Sequence, residues 1–130
     1  MTVLRTRTPY SNFYTLQEFD LQHRQFDGGL GDQMERAVFT GFDATIVLPY
    51  DPVRDCVLLI EQFRIGAYAR GAQHPWLLEA VAGHVDIGET PEQAARREAN
   101  EEAGLKLQQL IPINQAYPSP GAAPNFTFHE

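Results

Sequence analysis

The sequence predicts an α/β (α+β) fold, with short strands around one long helix and an antiparallel β-ribbon ahead of the main body. Three observations predict it. Short alternating or apolar runs, bounded by Gly, Pro and Asp, recur along the 130 residues, as strands do. Residues 90–104 carry the start and stop signals of a helix. Asp27-Gly28-Gly29 stands between two strand-like runs, the composition of a hairpin turn.

Phe13 to Arg24 alternates loosely through Phe13, Thr15, Glu18, Phe19 and Leu21, and Asp32 to Phe39 is expected as its return strand. Residues 1–41 are therefore expected as a ribbon and 42–130 as the main domain. Asp43 to Pro49 reads as a buried strand, Asp51-Pro52 as a turn, and Asp55 to Phe63 as a second strand. Trp76 to Ala82 is expected to run as a strand into Gly83, and Leu107 to Tyr117 as another. Pro118-Ser119-Pro120-Gly121 is rich in turn formers, and Asn125 to Glu130 again alternates like a strand. Termini are usually polar tails or docked helices, so a shortened protein lacking its C-terminal part is expected.

The helix is defined from both ends. Thr90 offers a hydroxyl N-cap, Pro91 suits the first helical position, and Gln93 completes a capping box. Gly104 can take the left-handed conformation past the last turn. At 100° per residue Ala95, Ala99 and Ala103 form one stripe, small enough for close approach to a sheet. Glu98, Glu101 and Glu102 form the adjacent stripe, while Arg96 and Asn100 point away. Like charges at this spacing repel, unless a cation sits among them. Hard divalent ions take oxygen ligands of this kind. Arg97 can reach Glu101 one turn on and Glu89 in the preceding loop, which would hold the carboxylates in place.

Composition narrows the function classes. A net charge of −7, with nine Arg and one Lys dispersed along the chain, leaves no basic patch for nucleic acid. An acidic protein acting on a polyanion would need a metal to bridge the two. No apolar run long enough to span a bilayer and no signal-like N-terminus is present, so a cytoplasmic setting without membrane attachment is expected. Cys56 is the only cysteine and lies in the apolar run Cys56-Val57-Leu58-Leu59-Ile60, where a buried structural thiol in a reducing compartment is expected.

Gly83 to Leu105 reads GHVDIGETPEQAARREANEEAGL, and fits Gly-x5-Glu-x7-Arg-Glu-U-x-Glu-Glu-x-Gly-U (U apolar) at Gly83, Glu89, Arg97, Glu98, Ala99, Glu101, Glu102, Gly104 and Leu105. Seven positions of fixed identity make a chance match on the order of 10⁻⁸. Taken alone, Arg96 to Glu102 would pass for a solvated charged helix; Gly83, Glu89 and Gly104 in register argue against that. The stretch resembles the signature box of the Nudix hydrolases, which split diphosphate bonds with magnesium. The resemblance implies a mixed β-sheet sandwiched by helices, with the box helix on one face and the ribbon extending outward.

Segments outside the box are similar to the ADP-ribose pyrophosphatase branch: Leu48 to Asp55, Leu59 to Arg64, Trp76 to Gly83, and Ser119-Pro120-Gly121. That branch hydrolyses ADP-ribose to AMP and ribose 5-phosphate as a homodimer, the ribbon contributing to the partner's substrate site. The resemblance implies Mg2+, with Mn2+ as a substitute, held by the Ala82 carbonyl, Glu98 and Glu102, while Glu101 adds to the cluster or orients water. It implies that Phe13 and Tyr14 sandwich adenine, that Arg36 and Arg64 contact substrate, and that His84 and Ser119 to Gly121 form substrate-side loops. Glu89 and Arg97 are implied as structural support. Phe13 and Tyr14 also read as ordinary strand aromatics, Arg36 as a surface residue, and His84 as a loop residue without a chemical role.

Two departures stand out. Thr40-Gly41-Phe42 replaces an Arg-Gly pair common in the branch, removing one substrate arginine. Ala122-Ala123-Pro124-Asn125 follows Ser-Pro-Gly where a Glu is usual, and the loop Glu serving as catalytic base is expected beyond Glu130. Another nucleoside diphosphate substrate, such as a sugar nucleotide or dinucleotide, and a non-catalytic ligand sensor of the same fold remain open at this point.

Overall fold

Alternation and turn chemistry build a three-stranded antiparallel sheet from β1 (Thr2–Ser11), β2 (Thr15–Gln22) and β3 (Met34–Thr40), in that order. The structure is a computed structural model describing residues 1–130. Two compact units divide the chain: Met1–Phe42 with Tyr117–Phe126, and Asp43–Ala116 with Thr127–Glu130. The segment Tyr117–Phe126, expected with the main domain, groups with the ribbon. Phe39 N–H donates to the Ala122 carbonyl at 2.7 Å, and the Asn125 side chain donates to the Phe42 carbonyl.

Within the first unit the expected hairpin forms between β2 and β3, with Leu21 opposite Met34 and Thr15 opposite Thr40. Its turn uses Gly28 at φ 87°, and Asp27 accepts a bond from Gly29 N–H at 2.8 Å. The sequence pattern gives no strand before Phe13, and the structure adds β1. A register shift between Arg7 and Tyr10, spanning Pro9, interrupts the alternation that would reveal that strand. Phe13 falls in the β1–β2 turn rather than in a strand.

The second unit holds a four-stranded mixed sheet in the order β10 (Asn114–Ala116), β11 (Thr127–His129), β4 (Ala44–Val47), β9 (Val81–His84). β11 runs parallel to β4, and the other two pairings are antiparallel. Thus the alternating final segment is a strand, placed centrally in this sheet. Thr45 and Val47 of β4 point to the buried side, and helix α2 (Pro91–Ala103) covers it. Val47, Val81, Ala95 and Ala99 form the core, flanked by Leu58, Ile60, Ala103, Leu105, Leu107 and Leu110.

Three expected strands are shorter than the sequence pattern suggests. Asp55 to Phe63 splits into β6 (Cys56–Val57), paired only with β5 (Tyr50–Asp51), and β7 (Ile60–Phe63). Asp51 accepts bonds from the Val53 and Arg54 N–H groups at 2.8 and 3.2 Å, and Asp55 takes φ 52°, which confines β5 and β6 to a tight hairpin. Cys56 is exposed, correcting the buried thiol expected from its apolar run, because no layer covers this two-residue strand. Trp76 to Ala82 breaks after Glu79: β8 (Trp76–Glu79) pairs with β7, and β9 pairs with β4. Leu107 to Tyr117 contributes only β10. A short helix, α1 (Ile65–Ala69), follows β7 and buries none of its residues.

Candidate functional site

Helix α2 is placed by its ends. Thr90 accepts a bond from Gln93 N–H at 3.2 Å and Gln93 accepts one from Thr90 N–H at 2.8 Å, the reciprocal cap expected from sequence. Gly104 takes φ 65° and returns its N–H to the Asn100 carbonyl at 3.0 Å. Ala94, Ala95 and Ala99 are fully buried, so the helix backbone lies close to β4 and β9. With that face committed, Glu98 and Glu102, one turn apart, are directed at β9.

Glu98 lies against Gly83, where any Cβ would overlap its carboxylate. Glu102 accepts from Ala82 N–H at 3.2 Å and from the Gln62 side-chain amide. Two carboxylates thus meet two consecutive residues of one strand. Glu101 is exposed. No three acidic, imidazole or thiol groups gather into a single cluster. The Glu98 and Glu102 carboxylates thus lie beside the Gly83 and Ala82 backbone, and oxygen donors of this kind are the ones hard ions prefer. Gly83 leaves space for one carboxylate that any larger residue would fill, so the chain fits such an ion. Thr45, opposite Gly83 in the β4–β9 ladder, is fully buried and its Oγ1 makes no hydrogen bond.

Arg97 joins the loop to the helix. Its Nε and Nη2 donate to the two Glu89 oxygens at 3.0 and 2.9 Å, a bidentate pair. Nη2 also donates to the His84 carbonyl at 2.8 Å, and Nη1 to Glu98 at 2.6 Å and Glu101 at 3.3 Å. The Glu89 bond, then the Glu98 bond, hold the Arg97 guanidinium above its usual range. Arg97, and then the Asp86 N–H, hold Glu89 below the usual carboxylate range. These two residues thus tie the loop ahead of the helix to its middle turns.

Arg64 extends from the end of β7 and donates through Nε to Glu79 at 2.7 Å, a bond that raises its pKa. Sequence reasoning singles out neither Gln62 nor Glu79. The available signal is strand alternation: Gln62 on β7 and Arg64, still extended one residue past its end, fall on one face, and Glu79 of β8 is paired with Ile60 of β7.

Of the remaining residues implied for substrate, His84 ends β9 in the second unit, and Phe13, Tyr14, Arg36 and Ser119 to Gly121 belong to the first. Phe13 and Tyr14 touch edge to face at 4.8 Å and 82°, so their rings are not two parallel walls. Phe13 also meets Phe42 at 5.3 Å, and Tyr14 meets Phe39 at 4.8 Å. Arg36 is exposed and donates to its neighbour's carbonyl, that of Glu35, at 2.8 Å. Ser119, Pro120 and Gly121 are exposed in a turn whose Ser119 carbonyl accepts from Ala122 and Ala123 N–H at 3.0 and 2.8 Å.

Residues 41–130 match the NUDIX domain model. The chain is 44% identical over 119 residues to an ADP-ribose pyrophosphatase of Escherichia coli K12, covering 92% of this chain and 56% of that protein. It is 40% identical over 121 residues to an ADP-ribose pyrophosphatase of Haemophilus influenzae, with the same coverage of 92% and 56%. A GDP-mannose pyrophosphatase of Yersinia pestis is 34% identical over 117 residues, covering 90% of this chain and 58% of that protein. The chain thus spans just over half the length of these relatives. A crystal structure of an ADP compounds hydrolase superposes with a TM-score of 0.76 at 24% identity, covering 98% of this chain and 64% of that one, and shares the fold. No helix is long and apolar enough to cross a membrane.

Proposed function

This chain belongs to the Nudix domain family, and we propose that it hydrolyses the diphosphate bond of ADP-ribose to AMP and ribose 5-phosphate with a divalent metal. The observation carrying the proposal is the placement of Glu98 and Glu102 against Gly83 and Ala82. Glu98, Glu102 and the Ala82 carbonyl would hold Mg2+, or Mn2+ in its place. Bound there, the metal would supply charge neutralisation and a lowered pKa for the attacking water.

The chain's own residues do the rest. Arg97 keeps Glu98 and Glu101 on the site side of the helix, and Glu89 keeps Arg97 in place. Arg64, whose charge Glu79 secures, offers a guanidinium for a phosphate oxygen. Glu101, exposed beside the pair, orients water. Phe13 and Tyr14 provide aromatic surface for adenine, where stacking contributes about 1–3 kcal/mol. His84, Arg36 and Ser119 to Gly121 complete the substrate contacts. Hydrolysis then breaks one P–O bond of the diphosphate bridge, the water's oxygen joining phosphorus and its proton passing to a carboxylate. By the same reading the active form is a cytoplasmic homodimer.

Relatives called ADP-ribose pyrophosphatase at 40 and 44% identity favour this substrate over a sugar nucleotide. A GDP-mannose pyrophosphatase at 34% keeps the sugar nucleotide as the second reading. Release of AMP from ADP-ribose, with and without Mg2+, tests the first. Metal-dependent AMP is expected; GMP release from GDP-mannose at a higher kcat/KM would replace the substrate assignment. No metal-dependent turnover of either substrate would overturn the enzymatic reading.

A further inference from the structure

Both oxygens of Glu102 are engaged, by groups from different strands. Ala82 N–H on β9 donates to Oε2 at 3.2 Å, and the Gln62 amide on β7 donates to Oε1. Two fixed donors define the plane of a carboxylate, whereas one leaves it free to rotate about its last bond. The pair is partly buried, so water competes weakly for these bonds. Gln62 has no competing side-chain bond within its strand, and its alternation on β7 directs it to the same face as Arg64. Arg64 in turn feels the Glu102 charge.

From this geometry we infer that Gln62 is a positioning residue, which acts through Glu102 by holding that carboxylate in one orientation against Ala82. The inference rests on the proposed metal-binding role of Glu102, and adds a residue that lies outside the signature box. An amide is suited to the task because it donates without charge. A lysine would neutralise Glu102 and compete for its oxygens with a cation, and a glutamate would repel it. Gln62 does not touch the reacting atoms. Its effect is to remove the orientations of Glu102 that cannot serve a ligand, as partners behind metal ligands do.

Three variants test it: Gln62→Leu, Glu102→Gln and the double variant, each titrated with Mn2+ by calorimetry and assayed on ADP-ribose. Gln62→Leu is expected to weaken Mn2+ binding about 10-fold and to lower kcat more than it raises KM. The double variant is expected to bind Mn2+ no more weakly than Glu102→Gln alone, since Gln62 has no other route to the site. Wild-type Mn2+ affinity in Gln62→Leu, or losses that multiply in the double variant, would overturn the proposal. If Glu102→Gln itself keeps wild-type affinity, the metal role of Glu102 falls and the proposal with it. If Glu102→Gln weakens binding while Gln62→Leu does not, the role of Gln62 alone falls. Thermal melts accompany every titration. Should Gln62→Leu fail to fold, Gln62→Asn retains the amide but withdraws it by one methylene, and the same outcomes apply.

Discussion

The carboxylate of Glu98 occupies the space where a side chain at position 83 would begin, so Gly83 and Glu98 are a matched pair. The match ties the first residue of the signature to one fifteen positions later, on another element. Gly83 is held in β9 opposite Thr45, so its backbone cannot retreat. The carboxylate end of Glu98 can. Gly83→Ala is therefore expected to fold, with Glu98 displaced from the strand. Divalent-metal affinity and kcat/KM should each fall about 10- to 100-fold, as when a metal ligand is disturbed. Calorimetric Mn2+ titration beside a urea melt checks this; wild-type metal affinity in the variant would show that the close approach has no bearing on the site.

What can be read from sequence follows the range of the forces involved. Thr90, Gln93 and Gly104 act within a turn of their own positions, so the helix and both its ends are legible in the sequence alone. The Ala95, Ala99 and Ala103 stripe needs only helical periodicity, and its contact with Val47 and Val81 follows. Arg97 reaching Glu89 and Glu101 is legible for the same reason. Gln62 meeting Glu102 is not, because the two lie 40 residues apart and pair only after β7 and α2 have packed. The apolar run at Cys56 misleads because hydrophobicity carries no trace of its hairpin: Asp51 and Asp55 bend the chain before any layer can cover it.

Arg97 distributes one planar cation over four acceptors: Glu89, the His84 carbonyl, Glu98 and Glu101. Lysine has the charge but not the fork, and cannot serve Glu89 in bidentate fashion while reaching the others. Arg97→Lys is expected to lower stability by about 1–2 kcal/mol, a modest loss because the side chain remains 29% exposed. kcat/KM should fall more steeply, about 100-fold, since Glu98 and Glu101 lose their common anchor. Parallel urea melts and kinetics decide the point; equal loss of stability and activity would reduce Arg97 to a scaffold residue.

Glu89 gives the same network a pH signature. Its folded pKa is depressed by Arg97 and the Asp86 N–H, so its contribution to stability is fully present above the ordinary carboxylate value. That contribution is lost as pH falls through the lower, folded value. Glu89→Gln removes the titrating group and leaves an amide that still fits the loop. The melting-temperature gap between wild type and Glu89→Gln is expected to be widest near neutrality and to close as the medium becomes more acid than pH 4.5, the ordinary value. Melts from pH 7 to pH 3 measure it, and a gap independent of pH would mean that the Glu89–Arg97 pair contributes no net charge stabilisation.

Ala99 sets how closely the helix approaches the sheet. It is fully buried in one cluster with Ala95, Val47 and Val81, while Glu98 precedes it and Glu102 follows three residues on. A leucine there adds volume to a closed contact, which costs about 1–3 kcal/mol when a core must shift. The helix is capped firmly at Thr90, so relief comes by moving its middle turns away from β9. Such a shift carries both glutamates off Gly83 and Ala82 together. Ala99→Leu is therefore expected to lose Mn2+ affinity as well as stability, whereas Ala99→Ser, nearly the same size, should keep affinity while losing some stability to its buried hydroxyl. Titrating both variants at a temperature where each is folded separates helix position from stability. Wild-type affinity in a folded Ala99→Leu would show that the distance between helix and strand does not govern the site.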